Sequence, residues 1–180
     1  MALATLTNYM TPTGREEPWR FTPLNRLAGL HDAQVGLRDR ISLEPLDIPT
    51  GVSVTIEDAE AFPPLSETAD QIVIRVREGA SKLLLLTIES NAEISEPIFL
   101  KRNVLDLSPE VSRVQINAGA NSHAIIVIEN SGEGVFAEEL WRRLWAGSTG
   151  VCWLVDDPRH GFAVDRPARG DADQMRVEPV

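Results

Sequence analysis

Two strand-like segments joined by a glycine–alanine corner set the narrowest limit on what this chain can fold into. Ser112-Arg113-Val114-Gln115-Ile116-Asn117 and His123-Ala124-Ile125-Ile126-Val127-Ile128-Glu129 flank Ala118-Gly119-Ala120-Asn121. Apolar and polar residues alternate at 52–56 (Val-Ser-Val-Thr-Ile) and at 71–77 (Gln-Ile-Val-Ile-Arg-Val-Arg), which puts one face of a strand in a core and the other in water. After a turn signal at Glu78-Gly79-Ala80-Ser81, residues 82–89 and 97–102 read as further strands. The spacing predicts about six short strands between residues 52 and 130, with no long helix among them. A parallel doubly wound sheet needs crossover helices, so that class is disfavoured. A sandwich, a barrel and a β-solenoid all fit, and no clean numerical repeat selects the solenoid. The corner itself suits a chain turning between the faces of a β-helix, with glycine at the tight bend and small alanines packed inside it.

The body is acidic. Residues 41–130 carry 14 Asp/Glu against 6 Lys/Arg, whereas residues 1–40 carry 4 against 5, within a net charge of −10. Phosphate binding needs a basic face, so a nucleic-acid partner is disfavoured. A near-neutral arm on an acidic body suits docking, within the chain or to a partner, and serves solubility equally well. The single cysteine, Cys152, excludes an internal disulfide framework and fits a reducing cytosol. No apolar run approaches the roughly 18 residues of a membrane span, and the N-terminus lacks the charged region of a secretory signal. The expected localisation is cytoplasmic.

Ahead of the strands lies an arm, residues 1–51, expected to hold a short helix and a linker. Its centre is Gly14-Arg15-Glu16-Glu17-Pro18-Trp19-Arg20-Phe21-Thr22-Pro23-Leu24-Asn25-Arg26-Leu27. Trp19 and Phe21 offer large apolar faces, and Arg15, Arg20 and Arg26 can pair with carboxylates. Pro18 and Pro23 bias the residues before them away from helix. Leu24, Leu27, Ala28 and Leu30 support at most a short helix or two turns. Pro45, Pro49 and Gly51 make residues 42–51 read as extended linker. The rings of the arm can anchor it to its own core or bind a partner.

The Glu17–Leu24 segment resembles the "E-x-W-R-[FY]-T-P-L" opening of SufD proteins, non-catalytic scaffold subunits of the Suf iron–sulfur cluster assembly machinery. Glu96-Pro97-Ile98-Phe99-Leu100 is similar to that family's opening rung, and the strand–Gly-Ala–strand unit to its early rungs. The likeness spans roughly residues 12–137. It implies the start of a right-handed parallel β-helix over residues 52–137, a scaffold role rather than an enzyme, and partners similar to SufB and to the ATPase SufC. It places no cluster ligand on any residue of this chain, so no catalytic, cofactor-binding or metal residue is expected, and an iron–sulfur cluster belongs only to the family's full complex.

After Glu138 the family pattern stops. Three of the four tryptophans, Trp141, Trp145 and Trp153, fall within Glu139–Trp153, and residues 156–180 scatter Pro and Gly among Asp and Arg. Two readings of residues 138–180 stay open. One is a variant tail in which Phe136, Leu140, Trp141, Leu144 and Trp145 line one face of a short helix over the open end of the stack. The other, favoured by the abrupt change in composition, is a reading frame shifted near residue 138 in a truncated gene.

Catalytic chemistry is thin. His31, His123, His160 and Cys152 are far apart and lack zinc-ligand spacing. Cys152 with Asp156, Asp157 and His160 is the one conceivable metal group. Gly147-Ser148-Thr149-Gly150 is neither a nucleophile elbow nor a phosphate loop. Glu16-Glu17 and Asp156-Asp157 read as solvated pairs. A carbohydrate-active enzyme on a solenoid or sandwich would cluster carboxylates on one sheet face. Only Glu89 and Glu129, at strand ends, hint at one. A binding module using Trp141 and Trp145 is a third class.

Overall fold

The computed structural model describes residues 10–59, 71–105, 108–156 and 162–167. Two 3₁₀ turns, Glu17–Trp19 and Leu24–Leu27, open it. Strands β1 (Arg38–Asp39), β2 (Leu43–Leu46) and β3 (Val52–Asp58) precede a helix, α1 (Gln71–Gly79). Seven strands follow: β4 (Lys82–Ile88), β5 (Ile98–Val104), β6 (Glu110–Ala118), β7 (His123–Gly132), β8 (Phe136–Leu144), β9 (Thr149–Asp156) and β10 (Phe162–Pro167). The fold is mainly β, as the alternation requires.

From β4 onward the strands fall alternately into two sheets. One has the order β10-β8-β6-β4-β3 with β1 beside β6, the other β2-β5-β7-β9. Each strand from β6 to β10 pairs in parallel with the strand two before it. Only β2 and β3, at one end of the stack, pair antiparallel. Neither sheet closes into a barrel, and an antiparallel sandwich does not describe these pairings.

Register stacks like on like between the sheets. Leu84, Val114 and Leu140 share one row, and Ile88, Ala118 and Leu144 another. Opposite them Ile98 lies beside Ile126 and Leu100 beside Ile128. These side chains make one apolar cluster, which each strand feeds with alternate residues.

The corner between β6 and β7 repeats in its neighbours. Asn91 (φ 62), Asn121 (φ 55) and Gly147 (φ 74) take the left-handed conformation in three successive turns. The Asn91 N–H donates to Ala120 O at 2.8 Å and the Asn121 N–H to Ala146 O at 3.2 Å. Gly119 is needed for a different reason from the one the sequence suggests. Asn121 makes the left-handed bend, whereas a Cβ on Gly119 would lie 2.5 Å from Ser90 N in the turn beneath. Close approach of stacked backbones, not conformational freedom, selects glycine there.

Several expectations change. Residues 71–77 form α1, not a strand. Ile72, Val76 and Ala80 recur at four-residue spacing and pack with Leu27, Leu30, Val111 and Ala137, so tertiary burial overrides a β-branched run that suits a strand. The expected linker contains β2, whose Pro45 is tolerated on an edge strand. The helix expected over 136–145 is β8. The boundary expected between 137 and 138 falls inside that strand, which pairs with β6 from Glu110↔Phe136 to Ala118↔Leu144 without a break. Residues 168–180 lie outside the described residues.

Candidate functional site

The arm and α1 cover the outer face of the first sheet. Trp19 and Leu24 pack, partly buried, against the α1 cluster, while Phe21 is 88% exposed. The two rings therefore divide the roles the sequence left open: Trp19 anchors the arm to its own chain, and Phe21 faces solvent with Arg20 over it. Glu16 folds back on the arm, accepting from the Thr13 and Gly14 N–H groups at about 3 Å, and Glu17 sits 3.9 Å from Arg20 in solvent.

Arg75 holds the joint. Its guanidinium donates to Gly29 O and Leu30 O at 2.5 and 2.9 Å, and also to Val35 O. Gln71 Nε2 adds a bond of 2.7 Å to His31 O. Burial lowers the Arg75 pKa from its ordinary value, with Asp32 opposing that shift. Removing the donors leaves the buried Leu30 carbonyl and the part-buried Gly29 and Val35 carbonyls without that partner, at a cost of about 1–3 kcal/mol. Arg75→Met is therefore expected to speed amide exchange across Gly29–Val35 while β6 and β8 stay protected. Uniform acceleration through the whole chain would contradict this local role.

Beneath α1, Glu139 receives the Arg77 guanidinium through Nε and Nη2 at 2.6–2.9 Å and lies 3.8 Å from Arg113. Arg113 also donates to Ala59 O and Arg77 O. Burial lowers the Arg113 pKa, and Glu139 counters that effect. Arg77 also lies 5.4 Å from the Trp141 ring.

Between the sheets, at the end nearest Phe136, a second ionic group interrupts the apolar rows. Arg102 and Glu138 form an ion pair in which each side chain is 1% exposed. Ser112 Oγ donates to Glu138 at 3.0 Å, and Arg102 donates to Asn130 Oδ1 at 3.1 Å. The guanidinium also stacks 4.1 Å from the Phe136 ring centroid. These carboxylates are enclosed and neutralised by guanidinium groups. Hydrolysis of a glycoside instead needs two carboxyl groups flanking an open cleft.

The scattered ligand candidates stay scattered. His31 lies in the arm, its Nδ1 buried with no hydrogen-bond partner. His123 is an exposed corner residue bonded to Thr149 Oγ1 at 2.9 Å. Cys152 occupies the register position beside Ile126 and Asp156 the one beside Asn130, while Asp157 and His160 lie outside the described residues. Glu129 pairs with Lys101 at 3.2 Å on the outer face of the second sheet, and Glu89 is exposed. Trp145 is 56% exposed. Among the described residues no group of three His, Cys, Asp or Glu could hold a metal ion, and no helix is long and apolar enough to cross a membrane.

Sequence reasoning passed over Arg75, Arg102, Arg113, Glu138 and Glu139. The one available signal was the pairing of Ser112-Arg113 with Glu138-Glu139 at matched positions of neighbouring strands, which emerges only once the register is known.

A SufBD family iron–sulfur cluster assembly protein of Mycobacterium tuberculosis is 25% identical to this chain over 136 residues, covering 73% of the chain and 34% of its own length. The chain is similar to SufBD family proteins. A second such protein, from Mycobacterium leprae, is 26% identical over 157 residues, covering 82% of the chain and 38% of its own length. The likeness extends to the SufBD family without distinguishing SufD within it. The chain thus spans between a third and two-fifths of the length of these SufBD relatives. No protein-family model matches it, and no solved structure does.

Proposed function

We propose that this chain is a SufD-like scaffold segment of an iron–sulfur cluster assembly machinery, non-catalytic and without a cofactor of its own. The observation that carries this reading is the alignment with SufBD family assembly proteins over 136–157 residues. The architecture supports it. Strands alternating between two sheets, each parallel to the strand two before it, are what the opening rungs of a parallel β-helix require. The enclosed carboxylates suit a rigid support better than a reactive site. Continuation of the register through β8 and β9 favours residues 138–156 as part of the same stack over a shifted reading frame.

On this reading the partners are a SufB-like subunit and a SufC-like ATPase, and the setting is the cytoplasm. Co-expression of the full chain with the SufB-like and SufC-like proteins of its own genome tests it. The expected result is a complex that survives gel filtration and contains the chain. A chain that unfolds cooperatively, and so is folded, yet elutes alone from the mixture would overturn the proposal.

A further inference from the structure

The arm carries chemistry that the fold does not use. Trp19, Leu24 and Leu27 pack in the α1 cluster, and Glu16 is occupied by the Thr13 and Gly14 N–H groups. Phe21, by contrast, is 88% exposed. Its one ring contact among the described residues is the Arg20 guanidinium, 5.5 Å from the centroid. Arg15, Arg20 and Arg26 are exposed on the same segment, and Arg20 meets only Glu17, at 3.9 Å in solvent.

A single exposed ring is ordinary on a protein surface. What sets Phe21 apart is the stiffness of its support. The Trp19 N–H donates to Glu16 O at 2.9 Å, the Thr22 N–H to Trp19 O at 3.0 Å and the Arg26 N–H to Pro23 O at 2.8 Å. Pro23 fixes its own φ and restricts Thr22 before it. With Trp19 on one side and Leu24 on the other packed against α1, the ring is held out in water by backbone anchored at both ends. A group presented this way has already lost much of the freedom that binding would otherwise remove. Aromatic rings and arginines are also the residues that concentrate binding energy at protein interfaces.

We propose that Phe21 and Arg20 form a docking tip for a folded partner subunit, the ring entering an apolar socket and Arg20, with Arg15 and Arg26, pairing with carboxylates on its rim. Charge selects that partner. Residues 41–130 carry 14 Asp/Glu against 6 Lys/Arg, so the body repels an acidic surface and the arm is where one is admitted. A broad anionic plane such as a lipid bilayer would also meet the acidic body, whereas a socket with a local acidic rim meets the tip alone. The inference rests on the scaffold reading above, because it takes the partner to be a subunit that this chain holds. Opposite charges across the contact make it weaken as salt rises.

The test uses the full chain with the co-expressed SufB-like and SufC-like proteins of its own genome. Phe21→Ala and Arg20→Glu are each expected to raise the Kd of that complex by about tenfold or more. The Tm of the isolated chain is expected to stay unchanged in both, since neither side chain packs into the core. Salt is expected to weaken the wild-type complex and to weaken the Arg20→Glu complex less. A wild-type complex that both variants form equally well would overturn this inference and leave the scaffold reading standing. Absence of any wild-type complex would overturn both. A lowered Tm in either variant would assign these side chains to the chain's own packing and overturn the tip. Binding to anionic phospholipid vesicles that Phe21→Ala abolishes, with the protein complex unaffected, would replace the subunit by a membrane and also overturn it.

Discussion

Arg102→Met is expected to lower the unfolding free energy by about 3–5 kcal/mol, because it leaves the Glu138 carboxylate buried without its counter-charge. Both side chains are 1% exposed, so water cannot substitute for the lost guanidinium. The remaining Ser112 hydroxyl bond to Glu138 compensates only in part. Glu138→Leu alone is expected to cost a similar amount, by stranding Arg102 between Asn130 and the Phe136 ring. The double variant Arg102→Met with Glu138→Leu removes both charges and is expected to regain most of that loss, since buried ion pairs replaced by apolar groups are often neutral in stability. Urea denaturation of the four proteins closes this thermodynamic cycle. If the two single losses simply added in the double variant, the pair would not be coupled and the assignment would fail.

Gly132→Ala is the second large effect. Gly132 ends β7 at φ 103, and a Cβ there would collide with the carbonyl oxygen, carbonyl carbon and nitrogen of Val104, its register partner on β5. A left-handed backbone costs a non-glycine residue about 1–3 kcal/mol, and the collision with backbone adds to that because no rotamer relieves it. The expected total is roughly 3 kcal/mol or more on these grounds, read as a lower urea midpoint. Amide exchange should rise most at the Val104 end of β5, next to the Arg102 ion pair. Unchanged stability would mean that β5 and β7 are not in contact at that end.

The two substitutions probe the same corner of the interior by unrelated means, one through charge and one through backbone spacing. Their common result would be a loosened end between the two sheets. For a chain whose proposed role is to hold other subunits, rigidity of the stacked strands is the property that function depends on. A scaffold reading predicts that assembly follows stability in such variants, whereas a reactive site would lose activity without losing stability.

Legibility of the fold varied with how its parts are stabilised. The strand at Val52–Asp58 was readable from strict alternation, and those at Lys82–Ile88 and His123–Gly132 as short apolar runs bounded by turn signals. α1 was misread because Ile72, Ile74 and Val76 alternate with Gln71, Arg75 and Arg77 as in a strand, whereas in the fold Ile72, Val73, Ile74 and Val76 are all buried, so the pattern of polarity does not report the buried face. β8 was misread for the complementary reason. Glu138, Glu139 and Arg142 are buried charges, so the strand lacks its polar face in the usual sense, and Phe136, Leu140 and Leu144 coincide with helical spacing. The arm's Trp19 was legible as an anchor, but its separation from exposed Phe21 was not.

The sequence by itself determined that the chain is mainly β and that it turns sharply at Ala118–Asn121, and it carries the motifs by which the chain resembles SufBD family proteins, because periodicity and local motifs are properties of neighbouring residues. Only the tertiary structure decided that successive strands alternate between two sheets and that Arg102 meets Glu138 across 36 positions. It also decided that Asn121, rather than Gly119, makes the bend. Those outcomes depend on which backbone lies beside which. Register between distant strands is set by the combined packing of the core, and no single segment encodes it.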